Sequence, residues 1–155
     1  MSAIITETPF WVWPLFLLLL AVGLRARHER FVPVGLFYGL PLLGLSALNA
    51  VLGLSAPPLI WAIFAFAYAG GVYGGYSIQG RWILGRDNAR VRLAGESLTL
   101  TMMMLVFGAN FVGGFLEAVS PQVHGGTLFQ VVFAAVVALS SGSFAGRALR
   151  VWRMT

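Results

Sequence analysis

Apolar residues run along this chain in blocks rather than in alternation. Five blocks are long enough to read as crossings of about 30 Å of hydrocarbon at a helical rise of about 1.5 Å per residue. They run from Pro9 to Leu24, Phe31 to Leu54, Pro58 to Ile78, Ser97 to Val119 and Gly126 to Ala145. The predicted fold is therefore all-α and polytopic, a single integral membrane domain over residues 1–155 with about five transmembrane helices. The first block is short, but Trp11 and Trp13 belong at headgroup level and Pro14 is tolerated in a first helical turn. No basic residue precedes that block, so it is not expected to be a cleaved signal peptide.

The one sizeable polar stretch between blocks is Gly80 to Glu96. Arg90-Val91-Arg92-Leu93 alternates, and it can pair with Arg81-Trp82-Ile83-Leu84 across the turn formers Gly85-Arg86-Asp87-Asn88. A small cytoplasmic β-hairpin between the third and fourth helices is expected, against the alternative of an irregular basic loop. Two strands alone are marginal in water, so the hairpin should lean on the membrane surface with its arginines toward anionic headgroups. Ser97, after Gly95-Glu96, reads as the N-cap of the fourth helix.

Composition strengthens this reading. Of 155 residues 59% are hydrophobic and 10% charged, and the mean hydropathy is +0.86. A soluble globule of this size would need more polar surface than that. The absence of cysteine excludes disulfides, thiolate nucleophiles and iron-sulfur ligation. All 10 basic residues are arginine, against 5 acids. In a soluble chain that excess would point to nucleic acid; in a membrane chain it orients the helices, and no nucleic-acid partner is expected.

The arginines fall in three places: Arg25, Arg27 and Arg30; Arg81, Arg86, Arg90 and Arg92; Arg147, Arg150 and Arg153. With five crossings all three lie on one side. The other side, with Glu7, Ser55-Ala56-Pro57-Pro58 and Ser120 to Gly125, has none. The positive-inside rule then puts the N-terminus outside and the C-terminus in the cytoplasm of a bacterial inner membrane, with the arginines beside anionic lipid headgroups. Trp61 at an outer end and Trp82 and Trp152 at inner ends fit interfacial belts.

Glycine supplies helix-packing faces: Gly35 and Gly39; Gly70, Gly71, Gly74 and Gly75; Gly142 and Gly146, all in small-xxx-small spacing. In lipid, close backbone approach over such faces is a main source of helix association. Pro41, inside the second block, should kink it.

The stretch from Gly95 to Phe107, followed by Asn110-Phe111-Val112-Gly113, resembles an uncharacterised family of small five-helix bacterial inner-membrane proteins. The opening Thr8-Pro9-Phe10-Trp11-Val12-Trp13 with Leu24-Arg25, and the ending Ser141 to Arg150, also look like it. That family is similar in turn to the CcdC-like proteins, whose label points loosely to cytochrome biogenesis. The resemblance implies span order and carries no catalytic residue. The family pattern tends to place a lysine-aromatic pair where this chain has Asn110-Phe111, and the missing charge argues against a proton or ion pathway there.

Candidate chemistry is sparse. His28 and His124 are expected on opposite sides of the membrane, so they cannot share a metal or haem. Met102 to Met104 point three ways around a helix, which makes a poor copper site. Ser140, Ser141 and Ser143 have no histidine or lysine to activate them. The polar candidates inside spans are Asn49, Asn110 and Glu117. They could coordinate a solute, although interhelical hydrogen bonds for the asparagines and an outer headgroup contact for Glu117 are the commoner uses. Neither a catalytic residue, a metal ligand nor a cofactor is predicted. The leading expectation is a non-enzymatic protein that acts by helix association, as a homo-oligomer or an accessory subunit of a membrane complex. The competing one is a small-solute or ion transporter or channel component built on Asn49, Asn110 and Glu117.

Overall fold

The computed structural model describes residues 10, 12–39, 42–87 and 90–153, with backbone alone at positions 38, 43, 86 and 87. The expectations placed on Glu7, Trp11 and the Pro41 kink lie outside the described residues. In chain order the elements are α1 (Val12–Arg25), β1 (Arg30–Pro33), α2 (Val34–Gly39), α3 (Leu42–Leu52), α4 (Pro58–Trp82), β2 (Ile83–Asp87), β3 (Arg90–Leu93), α5 (Leu98–Val119), α6 (Pro121–His124) and α7 (Thr127–Trp152).

Among the described residues three helices, α4, α5 and α7, are long and apolar enough to cross a membrane, as a membrane-embedded protein requires. From Val12 on, the described part of the first block is helical throughout. The 14 residues of α1 rise only about 21 Å. The second block begins as strand, β1, and its other described residues up to Leu52 are helical, in α2 and α3.

Conversely, α4 and α7 run past the apolar runs that suggested them, to Trp82 and Trp152. Hydropathy stops at the first charge. A helix continues as long as its backbone bonds form and its charged side chains find partners.

Helix α7 is the centre of the molecule: 56% of its apolar window is buried within the chain, against 6% for α5. Its N-terminal half packs with α3 and α4 around Val51, Ile60, Phe64, Phe133 and Val137. Gln130 reaches across to donate its side-chain N–H to the Leu54 carbonyl (3.2 Å). Helix α1 lies along α5, with Phe16 and Phe107 rings 5.4 Å apart.

The fold is not all-α. A three-stranded antiparallel sheet, in the order β1-β3-β2, caps one end. The hairpin forms, but it starts later than the pattern suggests: Arg81 and Trp82 stay helical, and Gly85 to Asp87 are strand rather than turn. A register shift between Ile83 and Gly85 puts Leu84 in a bulge. The unforeseen strand is β1, which pairs Val32 with Val91 and Phe31 with Arg92. Its Pro33 is tolerated because β1 is an edge. Val32, Val91 and Leu93 are buried with Phe37, Ala148 and Val151, so the sheet leans on the end of α7, while Arg90 and Arg92 face away, exposed.

Candidate functional site

The glycines sort into two groups. Gly71 and Gly75 of α4 meet the backbone of α7 so closely that an added Cβ would lie 2.3 Å from the Leu139 carbonyl oxygen and 2.1 Å from that of Ser143. Gly142 and Gly146 return the contact, 2.3 Å from the Tyr68 oxygen and 2.0 Å from that of Val72. Gly35, Gly39, Gly70 and Gly74 face elsewhere, with none of the described residues within 4 Å of an added Cβ.

The close α4–α7 approach carries a polar cluster at its sheet end. Continuing the Gly71, Gly75 row by four residues reaches Gln79, which is fully buried. Continuing Ser140 and Ser143 along α7 reaches Arg147, 3% exposed. The Arg147 guanidinium donates from Nε to Gln79 Oε1 (2.7 Å), from Nη1 to Thr99 Oγ1 (2.8 Å) and from Nη2 to Glu96 Oε1 (2.9 Å). The Thr99 hydroxyl donates a hydrogen bond to Glu96 Oε1, and its backbone N–H donates to Glu96 Oε2 (2.8 Å). Ser97 holds the N-cap position of α5, as the sequence predicts, but its side chain makes no cap bond, and the Glu96 carboxylate supplies it instead. The rings of Trp82 and Phe144 lie 5.6 and 5.9 Å from the Arg147 guanidinium.

The electrostatics favour a charged pair at neutral pH. Burial alone would raise the Glu96 carboxyl, but the Arg147 charge and the Thr99 and Arg147 hydrogen bonds outweigh it and hold it below the usual carboxylate range. Arg30 adds a second cation, 3.9 Å from Glu96 Oε1. Burial lowers its affinity for the proton; Glu96 opposes this, while Arg147 and Arg25 push the same way. Gln79 Nε2 has no hydrogen-bond partner among the described residues. The group has no activated nucleophile, and a guanidinium does not release its proton. Its geometry is that of a clamp joining α4, α5, α7 and the β3–α5 connection.

Arg147 therefore turns inward to the clamp instead of standing free in the third basic cluster. No hydropathy or motif signal marks this cluster. The hints are the four-residue continuation of the glycine row into Gln79 and the acid Glu96 four residues after the second basic cluster. Beside it lies a cavity of about 270 Å³ lined by Arg25, Arg30, Thr99 and Arg147 and by apolar side chains of α1, β1, α2 and α5.

The polar candidates of the spans lie apart. Asn110 lines a second cavity of about 250 Å³ among α1, α3, α5 and α7, but its amide donates to Val106 of its own helix (2.8 Å). Asn49 and Glu117 are exposed, and neither lines that cavity. Met103 borders both cavities. His28 sits in the turn after α1, and His124 lies against the Phe129 ring (5.2 Å) beyond the far end of α5. Comparisons with protein-family models, curated proteins and solved structures found no match.

Proposed function

We propose that this chain is a multi-pass protein of a bacterial inner membrane that works without catalysis, by helix association with itself or as an accessory subunit of a larger membrane assembly. The observation that supports this is the division of glycines on α4: Gly71 and Gly75 are used up against α7, whereas Gly70 and Gly74 leave a shallow open face beside Tyr73, which is 77% exposed. In lipid such a face gains by close approach of another helix. Five crossings, with the N-terminus outside and the arginine end in the cytoplasm, belong to the same proposal. So does the resemblance to the CcdC-like proteins, which adds no site residue. The transport reading asks Asn49, Asn110 and Glu117 to share a cavity, and only Asn110 borders one of the two described above.

A photo-crosslinking benzoylphenylalanine at Tyr73, activated in native membranes, is the direct test. The expected result is one discrete adduct, either a dimer of this chain or a heteromer, that Gly70→Leu with Gly74→Leu abolishes. A chain that stays uncrosslinked and runs as a monomer would overturn the proposal.

A further inference from the structure

The sheet end of the molecule holds more positive charge than its own carboxylates neutralise. Glu96 serves two guanidiniums, Arg147 and Arg30, and Arg25 adds a third cation with no carboxylate within 4.0 Å among the described residues. All three arginines line the 270 Å³ cavity, yet the rest of its wall is almost wholly apolar, with Val22, Phe37, Met103 and Phe144 among the lining. Arg147 has five N–H donors, of which three are used in the clamp. The mouth is flanked by Phe31 and Leu36, each more than 60% exposed, at the end of the bundle where the arginines gather.

We infer that this cavity is a stoichiometric site for one anionic phospholipid of the surrounding bilayer, its phosphate held by Arg25 and Arg30 beside Arg147 and the start of one acyl chain lying along Val22, Phe37 and Met103. Charge complementarity selects the head, because guanidinium groups match phosphate oxygens in geometry as well as charge. The apolar wall selects a ligand with a chain. The volume is below the range of about 300–1,000 Å³ that encloses a whole small-molecule ligand, so the remainder of the lipid stays in the bilayer. Basic pockets at the ends of transmembrane helices hold anionic headgroups by the same physics. This site is independent of the association face on α4 and needs only that the chain is membrane-embedded.

Native mass spectrometry of the full chain in detergent, titrated with dioleoyl phosphatidylglycerol or dioleoyl phosphatidylcholine, tests it. The expected result is a single tight adduct with the anionic lipid that phosphatidylcholine does not form. Affinity should fall roughly fivefold for each arginine lost, about thirtyfold for Arg25→Gln with Arg30→Gln together. Met103→Trp, which fills the wall without changing charge, should also weaken it. Arg90→Gln with Arg92→Gln removes the same charge from the exposed sheet face and should leave the tight adduct within twofold. Arg25→Gln alone breaks no ion pair and keeps the test decisive if the double variant does not fold. Equal retention of the two lipids, an equal loss in the Arg90 and Arg92 variant, or binding of glycerol 3-phosphate as tight as that of the intact lipid would overturn the site.

Discussion

Arg147 can be buried in α7 because three acceptors from three other segments meet it, and removing Glu96 leaves its buried charge without the paired carboxylate. Breaking a buried pair on one side typically costs about 3–5 kcal/mol, since the remaining ion keeps its desolvation penalty. Glu96→Gln is therefore expected to lower the melting temperature of the detergent-solubilised protein at neutral pH. The pH dependence has a definite sign. The folded Glu96 carboxyl titrates below its unfolded value of about 4.3, so its stabilisation is fully present above that value and is lost as pH falls through the lower folded value. Melting curves from pH 7 to pH 3 should show a falling acid limb in the wild type that is shallower in Glu96→Gln. Parallel curves for the two proteins would show that Glu96 does not titrate in this way.

Helices α4 and α7 meet backbone to backbone, and that closeness depends on hydrogen atoms where other residues carry Cβ. Gly146→Ala would place a carbon 2.0 Å from the Val72 carbonyl oxygen, which only a separation of the two helices relieves. Overpacking of this kind costs about 1–3 kcal/mol or more. Gly108→Ala, in α5 with nothing within 4 Å of the new carbon, should instead gain about 0.5–1 kcal/mol by stiffening the unfolded chain and favouring helix. Thermal unfolding of the two variants in one detergent should therefore shift in opposite directions. The sheet follows a related logic, since the hairpin gains its stability from a third strand and from Ala148 and Val151 of α7 rather than from its own two strands.

At the scale of the whole molecule, the pairing of β1 with β3 and the Glu96–Arg147 contact draw the loop after α1, the hairpin and the end of α7 to one end of the bundle. All three arginine groups lie in or directly beside those segments. If that end is cytoplasmic, cysteines introduced into this cysteine-free chain at Ser55 or Gln122 should react with an impermeant thiol reagent added from outside, and one at Asn88 should not. Labelling at Asn88 with protection at Ser55 would reverse the orientation. The sequence by itself determined the membrane as solvent, the three long helices, the hairpin and the gathering of arginines in three segments, because hydropathy, alternation and charge are local properties of a chain. It missed that Phe31 to Pro33, at the start of the second apolar block, pair as an edge strand, which only the neighbour β3 decides. It also left the clamp hidden. Gln79, Glu96, Thr99 and Arg147 stand up to 68 residues apart, and whether an arginine at a helix end reaches lipid or turns inward depends on acceptors that only tertiary packing brings within hydrogen-bonding distance.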